Sequence, residues 1–246
     1  ETVLPMLADW RGLLRSYPEA AAKETLRYPD NTQVDAPIVD DWLDGLHADG
    51  GERVWTALVP HRLCSNAKKP VLRGDKLVEA WVRTLVASAC GLPLRGFIVG
   101  RDAVVSVEPL APDDAAMALD MLLQGFRDGM NEPLPVACKT ALAWQEKVFQ
   151  LNAAGVNPGR DALREVAGVY DGGYNLRGEI DEPCLARCYA DFDALTADGR
   201  FEELAERLYG PMQMWLQEHV SVRLHADANA NANADGAAKE EGAGDE

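Results

Sequence analysis

"VDDWLDGLHADGGERVWTALVPHR", residues Val39 to Arg62, decides how the first half of this chain folds. Five acids, Asp40, Asp41, Asp44, Asp49 and Glu52, precede the β-favouring run Arg53 to Val59. "ADGGE" between them is a turn signal, so an acidic strand, a tight turn and a second strand are expected. Carboxylates on one strand beside a second strand can hold a divalent cation if the second strand adds the remaining ligands.

Outward from this stretch, the order of elements becomes readable. Residues 1–22 carry Leu4, Leu7, Trp10, Leu13 and Leu14 at near-helical spacing and predict an opening helix. "ETLRY" reads as a strand, "PDNT" as a Pro-Asp-Asn turn, and "QVDAPIVDDWLDGL" as one long strand that Pro37 interrupts or confines to an edge. Downstream, Asp75 is the expected cap of a helix whose apolar face is Leu77, Val78, Trp81, Val82, Leu85, Val86 and Ala89, stopped by Gly91 and Pro93. "GFIVGRDAVVSVEPL" predicts two strands around Gly100-Arg101-Asp102. From Pro112 the pattern is helical, in segments separated by Gly and Pro: "PDDAAMALDMLLQGFRDGM", "KTALAWQEKVFQLNAA", "GRDALREVAGVYDG", "DFDALTADGRFEELAERLYG" and "PMQMWLQEHV". The fold class is α+β. Three parts are expected: an α+β core with its opening helix over 1–111, a helical portion over 112–225, and an acidic Ala/Asn tail over 226–246. The tail has too little apolar bulk to offset its ordering entropy and is expected to be disordered.

Totals narrow the partners. The net charge is −16, of which the tail holds −5, so residues 1–225 carry −11. Such a body does not attract DNA by bulk electrostatics; it needs a local basic patch or a gripping partner. Five cysteines at irregular spacing (Cys64, Cys90, Cys138, Cys184 and Cys188) fit a reduced, cytoplasmic chain. Cys184 and Cys188 with His219 and His225 match no common zinc-finger spacing, so ordinary thiols are the expectation and no metal site is assigned. No apolar run approaches the roughly 20 residues of a membrane span. The chain opens on Glu1 without a charged-then-apolar leader, as expected of a piece of a longer chain lacking a signal peptide.

Four strings are specific: "ACGLPLRGFIVGRDAVVSVEPL", "EPLPVACKTALAW", "VYDGGYNLRGEIDEPCLARCYADFDAL" and "FEELAERLYGPM". They resemble the C-terminal region of RecC, the gamma subunit of exodeoxyribonuclease V, over roughly Leu14 to Met212. The resemblance implies a restriction-endonuclease-like core of the PD-(D/E)xK type with a degenerate active site, followed by a helical C-terminal portion. It also implies RecB-type and RecD-type partner subunits, DNA met through the complex, and work in double-strand-break repair by homologous recombination. An active enzyme of this kind needs an acid on one strand, then Asp or Glu, one residue, and Lys on the next. Asp40, Asp41 and Asp44 are candidates for the first acid. On the second strand, Leu58 and Pro60 fall where the second acid and the lysine belong, and no shift of a residue or two brings in an acid–x–Lys triplet.

The expectation is therefore a catalytically silent domain that needs no cofactor, does not enter a membrane, and acts in subunit assembly and DNA-strand guidance. The alternative is an active Mg²⁺-dependent endonuclease that uses Asp44 and a migrated lysine, Lys68 or Lys76. Over Pro60–Lys76 five bases, Arg62, Lys68, Lys69, Arg73 and Lys76, face one acid, Asp75; they are candidate DNA contacts, against the alternative of a solvated basic loop. His61 reads as a structural strand-end histidine. "DGGYNLRG", Asp171 to Gly178, follows a helix rather than opening one, so it reads as a helix stop and turn rather than a phosphate cradle. Trp81 belongs to a core face; Trp10, Trp144 and Trp215 suit either a core or a subunit contact.

Overall fold

The computed structural model describes residues 3–29, 37–65, 69–174 and 176–226. They form two compact units, residues 3–115 with 219–226 and residues 116–218.

The first unit contains α1 (Val3–Ser16), β1 (Glu19–Ala20), β2 (Glu24–Tyr28), β3 (Val39–Leu43), β4 (Leu46–Asp49), β5 (Glu52–Leu58), a 3-10 turn (Gly74–Lys76), α2 (Val78–Ala89), β6 (Arg95–Val99), β7 (Ala103–Val107) and β8 (Val220–Leu224). Six strands make one mixed sheet in the order β1-β4-β5-β6-β7-β8, and β2 pairs with β3 as a separate ribbon. Only β5 and β6 are parallel neighbours, and α2 lies in the connection between them, as a parallel pair requires. The other neighbours in the sheet are antiparallel.

The expected single strand over 33–46 is instead cut in two at Gly45. Val39–Leu43 stays in the ribbon with β2, and Leu46–Asp49 enters the main sheet. Gly45 has φ +65, and a Cβ there would lie 2.4 Å from the Thr56 carbonyl oxygen. Only glycine lets the backbone pass this close, and its carbonyl accepts from both Thr56 N (2.9 Å) and Thr56 Oγ1 (3.1 Å). Pro37 lies just before β3, which is an edge strand of the two-stranded ribbon, as expected; residues 33–36 of the expected strand lie outside the described residues. The β4–β5 hairpin closes at Asp49–Glu52, leaving Gly50 and Gly51 as a two-residue loop with both φ positive, the condition of a type I′ turn. The "PDNT" turn lies largely outside the described residues.

α2 buries Ala80, Trp81, Thr84, Leu85 and Val86, while Val82 is exposed. Asp75 does not cap it: the N-cap is Leu77, without a side-chain bond, because the Asp75 carboxylate is held by Arg73 and Lys76 in the preceding turn. The helix ends at Gly91 (φ +77), with Leu92 N bonded to Ala87 O and Gly91 N to Ser88 O, a Schellman closure. Trp55, 1% exposed, packs against Gly96, where a Cβ would come within 2.1 Å of the indole. In α1 only Met6 is buried, and Leu4 is exposed.

The second unit holds α3 (Pro112–Asn131) from Ala116 onward, α4 (Cys138–Ala153), α5 (Arg160–Arg164), α6 (Ala167–Asp171), a 3-10 turn (Glu179–Asp181), α7 (Pro183–Cys188), α8 (Phe192–Leu195) and α9 (Arg200–Glu218). Its core gathers Trp144, Leu163, Tyr170, Phe192, Leu195 and Phe201. Phe192 meets Phe201 edge-on at 6.1 Å between centroids. Trp144 and Trp215 are buried within the chain and Trp10 is half-buried.

Two boundaries differ from the sequence reading. α9 runs unbroken through Gly210-Pro211, where a break is expected from the sequence. Proline removes one ladder bond, and the missing Cβ of Gly210 relieves the clash that Pro imposes on the residue before it. Val220–Leu224, expected inside the helical portion 112–225, is instead a strand paired with β7 in the register Val107–Val220 to Ala103–Leu224. Its alternation, Val-Ser-Val-Arg-Leu, was the available signal. Of the tail, only Ala226 is described; 227–246 lie outside the described residues.

Candidate functional site

The β4–β5 register determines what surrounds the first acid. Leu46 pairs with Trp55, and Thr56 N bonds to Gly45 O, so Asp44 stands at the mouth of the hairpin beside the C-terminal half of β5. The Asp44 carboxylate is two-thirds exposed and accepts from Arg83 Nη1 at 3.1 Å. Arg83 comes from α2, where Glu79 one turn earlier also meets it at 3.7 Å, and its guanidinium lies 5.4 Å from the centroid of Trp55. The position that a bound cation would occupy beside Asp44 is thus neighboured by a fixed guanidinium. Leu58 and Pro60 are exposed and carry no oxygen or nitrogen in their side chains, so neither can ligate a cation or activate water. Asp40 meets Arg27 at 3.8 Å across the β2–β3 ribbon, and the Asp41 side chain accepts from Trp42 N. Among the described residues, no group of three or more His, Cys, Asp or Glu is placed to hold a metal ion.

The described residues of the basic stretch, 60–65 and 69–76, are tied to one another and to the sheet. Cys64 bridges Leu72 antiparallel, Ser65 N bonds to Val71 O, and Arg73 N to Leu63 O. Its anchor is Asp102, 4% exposed, whose two carboxylate oxygens accept from Leu63 N at 2.8 Å and Cys64 N at 3.1 Å. The same carboxylate meets Arg62 Nε at 3.4 Å. Asp75 takes Arg73 at 3.1 Å and Lys76 at 3.4 Å. Three of the five candidate bases are therefore matched by two acids; Lys69 is exposed, and Lys68 lies outside the described residues. The charge excess counted in the sequence survives in part, as two cations sharing one acid and the exposed Lys69.

Burial pushes the Cys64 thiol up to about 11, assisted by the charge of Asp102 and opposed by Arg62, so this cysteine is held as an inert thiol. All five cysteines are unpaired by disulfides, with Cys184 and Cys188 exposed.

The sequence reading missed the roles of three residues. Arg83 was hidden because its partner Asp44 is 39 positions away; only its i,i+4 spacing from Glu79 was visible. Asp102 sat in a predicted turn without a role. His225 is buried at 1%, its Nε2 2.8 Å from Gly100 O and its Nδ1 against Asp9, which also binds Arg223. Burial raises the Asp9 carboxyl, but hydrogen bonds from Arg223 and His225, with their charges, hold it below the usual carboxylate range.

Fold and site together define an α+β domain built on a mixed sheet with one helical crossover and a neutralised acidic edge. A sequence model of the RecC C-terminal domain matches residues 1–149, more than half of the chain, and the chain belongs to that family. Membership connects it with RecC in the RecBCD complex, exodeoxyribonuclease V, and so with DNA repair and recombination in general. No protein of curated function matches it. Among the described residues no helix is long and apolar enough to cross a membrane.

Proposed function

We propose that this chain is the non-catalytic C-terminal domain of an exodeoxyribonuclease V gamma subunit, acting in subunit assembly and DNA-strand guidance during double-strand-break repair in the cytoplasm. In this reading the unit built on β4, β5, α2 and β6 is a restriction-endonuclease-like core with a degenerate active site. The helical portion is a second body, and RecB-type and RecD-type subunits are the partners.

The observation that carries the reading is the Asp44–Arg83 ion pair facing a strand whose Leu58 and Pro60 supply no second acid and no lysine. A lone carboxylate already neutralised by a guanidinium gives neither a divalent-cation site nor an activated water. The domain therefore needs no cofactor. The antiparallel β4–β5 hairpin, the α2 crossover and the parallel β6 support the nuclease-like assignment. Arg62, Lys69, Arg73 and Lys76, on a loop pinned by Asp102, are proposed as phosphate contacts to DNA held by the complex.

The test has two arms. Co-expression of the full-length chain with RecB-type and RecD-type subunits should give a co-purifying complex at moderate salt. The chain alone should leave single- and double-stranded DNA intact with Mg²⁺ or Mn²⁺. Metal-dependent cutting abolished by Asp44→Ala would instead establish the active-endonuclease alternative.

A further inference from the structure

We propose that the outer edge of β8 is a docking strand, and that an extended, apolar segment of a partner subunit pairs with it as a further strand of the sheet. The proposal rests on the assembly reading and names a surface by which the sheet unit takes part in it.

The register shows which backbone groups are free. Glu108 N bonds to His219 O and His225 N to Asp102 O, so in the antiparallel β7–β8 ladder positions 219, 221, 223 and 225 are the hydrogen-bonded ones. The N–H and C=O groups of Val220, Val222 and Leu224 therefore point away from β7. β8 ends the sheet, and among the described residues no strand lies beyond it. Sheet edges are ordinarily blunted by shortness, proline, a bulge or an outward charge. The opposite edge follows this rule: β1 has two residues, one of them Glu19. β8 has five residues in one unbroken register with β7, without proline or glycine. Its single charge, Arg223, is turned onto a face of the sheet, where the guanidinium meets the two oxygens of Asp9 at 3.0 and 3.3 Å.

Both faces beside this edge are unfinished. On one, Ala103, Val105 and Val107 of β7 are fully buried, and their partners across the ladder are Leu224, Val222 and Val220. Val222 is 45% exposed, so this apolar layer stops half covered at β8. A residue opposite Val222 on a further strand would cover it. On the other face, a cleft of about 330 Å³ borders β8 between α1 and the sheet. Leu13 and Phe97 give it apolar walls, and the hydroxyls of Ser106 and Ser221 share a hydrogen bond of 2.7 Å there. Backbone pairing plus a recess for alternate side chains is how a sheet edge recognises an extended peptide.

Two other occupants fit less well. Residues 227–246 comprise Ala, Asn, Asp, Gly, Lys and Glu, with no β-branched or aromatic side chain, and are poor strand formers. A second copy pairing β8 on β8 would join only five residues a side, far short of the roughly 800 Å² per partner of a stable interface. An edge this short suits a subunit already held in the assembly by other surfaces, which presents its strand at high effective concentration. The apolar layer and the recess together select β-branched or aromatic residues on that strand.

The experiment follows amide hydrogen exchange over 219–225 in the full-length chain, alone and assembled with RecB-type and RecD-type subunits. Assembly of Val222→Pro and Val222→Thr is measured alongside. Proline at 222 removes a donor that β7 does not use, so the internal ladder survives, whereas threonine keeps the donor. The proposal is supported if the Val220, Val222 and Leu224 amides become protected only on assembly, and Val222→Pro weakens assembly about tenfold or more while Val222→Thr does so much less. An assembled complex in which these amides still exchange fast overturns it and leaves the assembly reading standing, as does wild-type assembly by Val222→Pro. Protection already present in the chain alone also overturns it: loss on deleting 227–246 assigns the edge to the tail, and loss on dilution to a second copy. If the wild-type chain fails to assemble, the assembly reading fails and the docking strand falls with it. Should Val222→Pro lower the unfolding midpoint, the exchange pattern of the wild-type chain decides alone.

Discussion

Asp44 in the sheet unit and Tyr174 in the helical unit are both exposed, yet the chain treats them in opposite ways. Asp44 has the chemistry of a ligand, and the fold answers it with Arg83 and with apolar neighbours on β5. Tyr174 is 97% exposed, and at the base of its loop Gly172 and Gly178 bring backbone against backbone. The same contrast separates the two anchors. Asp102 spends its carboxylate on two buried backbone donors, whereas Gly172 and Gly178 bring backbone against backbone by having no side chains at all.

The anchors offer the most forceful ways to break this comparison. Asp102→Ala leaves the N–H groups of Leu63 and Cys64 buried without acceptors and should cost about 3 kcal/mol, seen as a lower urea midpoint. A change below about 1 kcal/mol would mean that the basic loop is not held from Asp102. Gly178→Ala drives a methyl into Tyr170 O and should cost about 2–3 kcal/mol, with increased protease cleavage near Tyr174. If Gly178→Ala is neutral, the close approach of Gly178 to Tyr170 O does not constrain the helical unit, and the contrast with the Asp102 anchor collapses.

Smaller effects sharpen it. Asp9→Asn weakens the bonds to Arg223 and His225 and should cost about 1 kcal/mol near neutral pH. Because the folded Asp9 carboxyl lies below its ordinary 3.8, this contribution is present above that pH and lost as pH falls through the folded value. The gap between wild type and Asp9→Asn should therefore narrow in acid; a gap that widens there would refute the assignment. In thiol labelling at pH 8, Cys184 and Cys188 should react readily, while Cys64, buried and raised to about 11, should react only on unfolding. The smallest change is Lys76→Ala: its half-buried 3.4 Å pairing with Asp75, which Arg73 also holds, should be worth no more than about 0.5 kcal/mol by the same urea titration.

Much of the secondary structure was legible because it is local. The α2 face, the strands at Glu24–Tyr28, Arg95–Val99 and Ala103–Val107, and the Gly50-Gly51 turn each follow from a period or a dipeptide. The misreadings have a common origin. The cut at Gly45 depends on Thr56, eleven residues away, and the continuity of α9 through Pro211 depends on a preceding glycine that looked like a stop. β8 was passed over because its partner strand β7 lies more than a hundred residues upstream.

The candidate site divides along the same line. By itself the sequence determined which groups are absent: a strand reading Thr-Ala-Leu-Val-Pro cannot offer a carboxylate or an amine in any fold, since side-chain chemistry is written in the residue. Only the tertiary structure decided what the remaining groups do. That Asp44 meets Arg83, that Asp102 captures Arg62 and two backbone donors, and that Tyr174 stands clear of everything are outcomes of which distant segments the core brings together. Charge pairing and burial depend on distance in space, and the spacing of residues along the chain does not contain it.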